Sequence, residues 1–264
     1  MRHVVRSEWT KLRRPGMLAG GLSAMVLFAV LSAVLGVATA GSKDSGGPRI
    51  GDAINMAQLH SAHGLADALR QSTTLLGVVA LCFCAAALAG EFSTGTIRNL
   101  LVREPRRLRL LAGMTLGVLT FVAAITLVAL AAAGAVSVAI ASGKGVDMSV
   151  WFGASGLAET GRAVGDLLLA TLGFGLIGAV LGVLLRSPVL AIGAGVAYLL
   201  PVEAILSATV GGVDRFLPGQ LLQVLAAGEG HSPSYAGAAV TVSLYAVLAV
   251  VAAGVVFARR DVTE

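Results

Sequence analysis

The sequence predicts an all-α polytopic membrane protein: six transmembrane helices, N- and C-termini cytoplasmic, an amphipathic N-terminal helix and a short cytoplasmic helix between spans two and three. Of the 264 residues, 56% are hydrophobic and only 12% are charged, whereas soluble domains carry about a quarter charged residues. The apolar residues gather into unbroken runs of about 20, the length that crosses a hydrocarbon core of about 30 Å. Basic residues fall unevenly between these runs, which sets orientation.

The first run covers residues 17–39, behind a segment with Arg2, Arg6, Lys11, Arg13 and Arg14. Ala38-Thr39-Ala40 has the form of a signal cleavage site, yet the run is longer than a signal core, so an uncleaved first span is expected. Further runs follow at 72–89, 110–139, 164–185, 189–207 and 236–257. The third has residues to spare for tilt. Together they make one transmembrane domain over 1–264. With the N-terminus in the cytoplasm, 13 of the 19 Lys and Arg lie on that side, so the positive-inside rule places both ends there. The net charge of +5 is thus topological, and no nucleic acid partner is implied. The outside loops are rich in Gly, Ser and Pro and too short for a domain of typical size. The connection Arg186-Ser187-Pro188 makes spans four and five antiparallel neighbours.

Most chemical motifs fail on context. GFGLIG at 173–178 has the dinucleotide-binding spacing but sits within an apolar helix with no strand before it. Gly178 with Gly182, Gly16 with Gly20, and Gly193 with Ala197 read as small faces for close helix approach. His60 and His63 lack further ligands, which favours a solvated loop, with no metal site. Cys82 and Cys84 lie within a span and read as small buried hydrophobes. Ionisable residues inside spans are functional suspects, and only Asp166 and Glu203 qualify. Asp166 lies one turn from Arg162, which suggests an ion pair. Glu203 follows Pro201, which should bend or end the helix, about 24 Å along the fifth span. Pro201 and Glu203 are a candidate outer gate.

The cytoplasmic segments say more. In GEFSTGTIRNLLVREPRR, hydroxyl residues and Gly95 break the second span, Thr96 starts a helix, and Pro105 stops it. Ile97, Leu100 and Leu101 share one face of this rod of about 8 residues. At the N-terminus, Met1, Val4, Val5, Trp9 and Leu12 share an arc, so residues 1–14 can lie along the membrane surface. Glu8 projects into that arc, either snorkelling to water or pairing specifically.

SEWTKLRR (residues 7–14), AGEFSTGTIRNLLVREPRRLRLLAGM (residues 89–114) and RFLPGQLLQVL (residues 215–225) resemble the permease subunits of the ABC type-two exporter family, especially its short actinobacterial members. The six-span layout extends the similarity over the chain. The resemblance implies a permease that forms the translocation pathway in the inner (plasma) membrane, with a cytosolic ATPase and a second permease chain as partners. It implies that the N-terminal helix, with Glu8, Trp9 and Lys11, and the loop helix dock on the ATPase. Glu91, Gly95, Thr96 and Arg98 would define the coupling turn, and Ile97 and Leu100 would enter the ATPase groove. There is no Walker A pattern and lysine occurs only at 11, 43 and 144, so ATP and Mg would be held by the partner, with no cofactor and no enzymatic site in this chain. A secondary transporter or channel, and a non-transporting immunity or interaction protein, stay open as alternatives.

Overall fold

The computed structural model describes residues 2–12, 15–38, 40, 54–103, 106–229 and 233–259. Among them every element is helical. In chain order these are α1 (Arg2–Leu12), α2 (Pro15–Ala38), α3 (Met56–Leu59), α4 (Gly64–Arg70), α5 (Thr73–Ser93), α6 (Thr96–Arg103), α7 (Arg107–Gly143), α8 (Met148–Trp151), α9 (Ala154–Leu185), α10 (Pro188–Ala197), α11 (Glu203–Thr209), α12 (Pro218–Ala227) and α13 (Tyr235–Arg259). A π-turn, Tyr198–Val202, joins α10 to α11.

Among the described residues, six segments are long and apolar enough to cross a membrane: α2, α5, α7, α9, the combined Pro188–Thr209 and α13. The chain is therefore a multi-pass membrane protein. The spans coincide with the apolar runs but mostly extend past them, most of all in α9, which starts at Ala154, about ten residues before its run; α7, with 37 residues, is about 55 Å of helix. The intrahelical hydrogen-bond ladder continues through Glu159 and Arg162 in α9 and through Arg107 and Arg109 in α7 once the chain leaves the apolar region, and hydropathy does not register that. Thr39, the last residue of the expected first span, lies outside the described residues.

The bundle is organised on α5 and α9. A Cβ at Gly178 would collide with the Leu81 carbonyl, and one at Gly182 would stand 2.8 Å from the Ala85 oxygen. The two backbones thus approach as closely as glycine permits, the expected use of a small face where lipid removes the hydrophobic drive for helices to associate. Phe174 of α9 fills the space over Gly77 of α5, and Leu222 of α12 that over Gly173. The glycines of GFGLIG are packing contacts. Gly16, Gly20 and Gly193 have no neighbour within 4 Å of a built Cβ, so within one chain those small faces meet nothing.

On the other side of α5, α7 carries Phe121, stacked on Phe83 with centroids 5.6 Å apart, and α2 adds Met25, Ala29 and Ala33 to the same core. The two latest spans are peripheral: Val189 of α10 is 80% exposed and Val240 of α13 is 70% exposed. We call the end bearing α1, α6 and the last turn of α13 the terminal end.

At the far end the short loops form a small cap. Trp151 is fully buried, and its indole N–H donates to the Leu59 carbonyl at 2.9 Å. Lys144 Nζ donates to the carbonyls of Ala38 (2.8 Å) and Ala40 (3.3 Å), satisfying acceptors that the end of α2 leaves unpaired.

Gly178→Val forces α5 and α9 apart and should cost about 1–3 kcal/mol. A lowered thermal midpoint in detergent is expected for it, with Gly193→Ala unchanged; equal midpoints would refute the α5–α9 axis.

Candidate functional site

Two clusters of polar residues interrupt the apolar bundle, one at each end. The terminal-end cluster begins where α5 ends. Thr94 closes that helix, and Gly95 follows with φ +69°, its N–H donating to the Phe92 carbonyl at 3.1 Å. A side chain is disfavoured in this left-handed conformation, so glycine lets the chain turn and restart as α6 at Thr96. The Thr96 hydroxyl sits 2.5 Å from Glu91 Oε2 and 3.0 Å from the Glu91 carbonyl, and it is 3.2 Å from the Thr94 hydroxyl.

Glu91 also faces the N-terminal helix. Its Oε1 accepts from Lys11 Nζ at 3.2 Å, and the same ammonium donates to Glu8 Oε1 at 2.8 Å. Four sequence-predicted residues, Glu8, Lys11, Glu91 and Thr96, thus form one chain of contacts across 80 residues of sequence. Glu8 is 4% exposed: it is specifically paired and does not snorkel. Burial pushes its carboxyl above the usual range, against the hydrogen bond and charge of Lys11, and the charge of Glu91 adds to the rise. Burial draws the Lys11 ammonium down, but its bond to Glu8 and the charges of Glu8 and Glu91 outweigh this and hold it above its ordinary value.

Trp9 fixes α1 to the bundle. Its indole N–H donates to the Thr120 hydroxyl of α7 at 2.9 Å, and its ring meets Phe121 edge-on, centroids 5.8 Å apart. Leu12 is 2% exposed. Helix α1 is therefore docked on α7; Met1 and the side chains of Val4 and Val5 lie outside the described residues.

The apolar face of α6 also turns inward. Ile97 is 2% exposed, within the core that holds Leu12, Leu110 and Phe257, and Leu100 packs against that core. Within the chain, the Ile97 side chain is thus occupied by the core and Leu100 is partly so. The open side carries Thr94, Gly95, Thr96, Asn99 and Val102, the last 85% exposed. The Arg98 side chain lies outside the described residues.

One member of this end was missed as a site residue. Arg186, in the turn between α9 and α10, has φ 55°, which non-glycine residues rarely adopt. Its guanidinium lies 5.4 Å from the centroid of Phe92, and Phe92 meets Phe257 of α13 edge-on at 5.9 Å. The signal available in sequence was an arginine confined to a connection too short for another conformation.

The far-end cluster centres on Glu203. Pro201 lacks the N–H that an α-helix would use, and the helix widens so that the Glu203 N–H reaches the Tyr198 carbonyl. Glu203 is fully buried, and its two oxygens accept the N–H groups of Gly219 (3.0 Å) and Gln220 (3.1 Å) in the first turn of α12. A Cβ at Gly219 would strike Glu203 Oε2, so the close approach needs glycine. In this single chain Glu203 is a buried helix cap: it holds α12, whose Leu221, Leu222 and Leu225 are buried among α9 and α13. Nearby, Asp166 accepts the Tyr235 hydroxyl at 2.8 Å, while Arg162 pairs with Glu159 at 2.7 Å. The expected Asp166–Arg162 pair is replaced because Tyr235 meets Asp166 across the bundle.

His60 ends α3 and His63 precedes α4, with His63 Nδ1 3.7 Å from Glu159. Among the described residues, no three His, Cys, Asp or Glu side chains are placed to hold a metal ion.

Lys11→Met should cost about 1–3 kcal/mol by leaving buried carboxylates without their donor, and adding Glu8→Gln should restore most of it. The raised Glu8 carboxyl means the folded state holds that proton more tightly; the stability it contributes is complete below the unfolded value and lost as pH rises through the folded one. The gap in thermal midpoint between Lys11→Met and the double variant should therefore widen from about pH 4 to about pH 7; a gap independent of pH would count against the network.

Glu203→Ala should expose α12 to faster amide exchange, each unsatisfied N–H costing about 1–3 kcal/mol, and Glu203→Gln should fall between it and the wild type. Unchanged exchange across Pro218–Ala227 would remove the capping role.

No curated protein matches the chain. A family model described as "Protein of unknown function (DUF2705)" matches residues 53–263. The match takes in α3 to α13, hence Glu91, Thr96, Arg186 and Glu203, and begins after Glu8 and Lys11. By that match over most of its length, the chain belongs to the DUF2705 family.

Proposed function

We propose that the chain is the membrane-spanning permease subunit of an ATP-driven exporter of the ABC type-two kind, in the inner (plasma) membrane with both termini in the cytoplasm. One observation carries the reading. A short helix outside the spans, α6, is fastened at its first residue to the end of α5 by Thr96–Glu91 and through Lys11 to α1. Such a helix transmits a force applied from the cytosol into the bundle, and a loop that only linked two spans would need no such fastening.

In this reading two permease chains enclose the pathway, and each meets a cytosolic ATPase that supplies ATP and Mg. Catalysis belongs to that partner. ATP-driven closure of the ATPase pair displaces α6. Glu91 passes the displacement to α5, and the glycine contacts of α5 pass it to α9, since two backbones in contact do not slide independently. Lys11 carries the same motion to α1 and α2. The pathway then opens outward. The nearly uncharged spans suit a hydrophobic or amphiphilic cargo. The partner-facing surface is the exposed side of α6, with Asn99 and Val102, in place of the buried Ile97 face.

Purification from native membranes should recover a stoichiometric ATPase with the wild type. Val102→Glu places a charge in that contact and should reduce recovery at least about tenfold, a loss of about 1.4 kcal/mol or more, without lowering the thermal midpoint. The Gly95→Pro variant should abolish transport. Reproducible absence of an ATPase, or transport that survives disruption of the loop, overturns the assignment.

A further inference from the structure

At the terminal end, between α7, α9 and α13, lies a cleft of about 640 Å³, a size that suits small-molecule ligands. Its wall is apolar, with Leu108, Leu111, Leu119, Leu176, Val251 and Gly254 among its residues. The cleft opens on the flank of the bundle, where Val251 is 57% exposed. It spans the membrane half nearest the terminal end, since Leu108 and Ala258 are its outermost residues and Leu119 and Leu176 its deepest.

The rim is basic. Arg107 Nη1 donates to the Ala258 carbonyl at 3.2 Å, which draws the start of α7 to the end of α13. Arg106, Arg109 and Arg259 are exposed beside this contact. Among the described residues, none of those three has a carboxylate within ion-pair distance. The neighbouring acids, Glu104 and Asp261, lie outside the described residues and are outnumbered in sequence by Arg103, Arg106, Arg107, Arg109, Arg259 and Arg260. The first turn of α7 contains no acidic residue, although that end of a helix favours negative charge and disfavours arginine. Helix N–H groups thus stand beside the guanidinium groups of Arg106, Arg109 and Arg259, which meet no carboxylate among the described residues.

We propose that this cleft is a binding site for an anionic phospholipid, its acyl chain along the groove between α9 and α13 and its phosphate on Arg106 and Arg109 at the start of α7. A second copy of the chain fits less well: two such rims would oppose like charges, whereas a phosphate group carries the opposite one. Basic pockets between spans hold anionic headgroups by the same chemistry. The site does not depend on the transport reading, since it uses neither α6 nor Val102.

The test is native mass spectrometry of the full chain, purified in detergent and titrated with phosphatidylglycerol or phosphatidylcholine. Preferential retention of one phosphatidylglycerol per chain is expected. Arg106→Gln with Arg109→Gln should weaken it about 30-fold, corresponding to about 1 kcal/mol per arginine, while the two Arg→Lys changes preserve it. Val251→Trp, which obstructs the groove from its exposed side, should weaken both lipids without moving the thermal midpoint. Equal retention of the two lipids, unaltered binding in the Gln pair, or a dimer that persists in place of bound lipid would each overturn the proposal.

Discussion

Hydrocarbon offers no hydrogen bonds, and every polar choice in this fold follows from that constraint. Helices that satisfy their own backbone can cross plainly, and five of the six spans do so. Where a helix begins inside the bundle, its first N–H groups need an internal acceptor. Helix α12 is that case, and Glu203 is the acceptor, reaching it from 16 residues upstream. The π-turn at Tyr198–Val202 belongs to the same solution. Proline removes one donor there, and the widened turn re-pairs the Glu203 N–H with the Tyr198 carbonyl.

The same constraint explains why the two ends differ. Without a hydrophobic drive between spans, association rests on close contact, which the Gly178 and Gly182 face of α9 provides against α5. Polar side chains then concentrate where water is available or where a partner can be supplied. The far end uses them to close loops, with Trp151 on Leu59 and Lys144 on the last carbonyls of α2. The terminal end uses them to fasten helices that do not cross, α1 and α6.

The spans were readable in sequence because runs of about 20 apolar residues admit one physical interpretation. The start of α6 at Thr96 was readable too, since Gly95 and the hydroxyl residues before it carry a local signal. Contacts between distant segments were not. Nothing local to Glu8 indicates that Glu91 lies on the other side of Lys11, and nothing local to Glu203 names Gly219. The orientation of α6 was missed for a related reason. Its apolar face was evident in the spacing of Ile97 and Leu100, but whether such a face meets a partner or the chain's own core depends on Leu12, Leu110 and Phe257, which come from three other helices.

This inward turn of α6 changes how the terminal end would work in the proposed exporter. A helix whose apolar face inserts into a partner would move with that partner and pull on its loop only through the backbone. Because Ile97 is part of the core and Thr96 is held by Glu91, α6 is instead a rigid extension of α5. Lys11 between Glu8 and Glu91 makes α1 part of the same body, and Trp9 on Thr120 ties that body to α7. A force on Val102 or Asn99 therefore reaches three spans through side-chain contacts, with no hinge between α6 and the bundle to absorb it. Gly95, whose left-handed backbone makes the one sharp turn in this path, is the place where the link is weakest. Its glycine is required for geometry, and the bonds from Glu91 on either side of it supply the stiffness that glycine lacks.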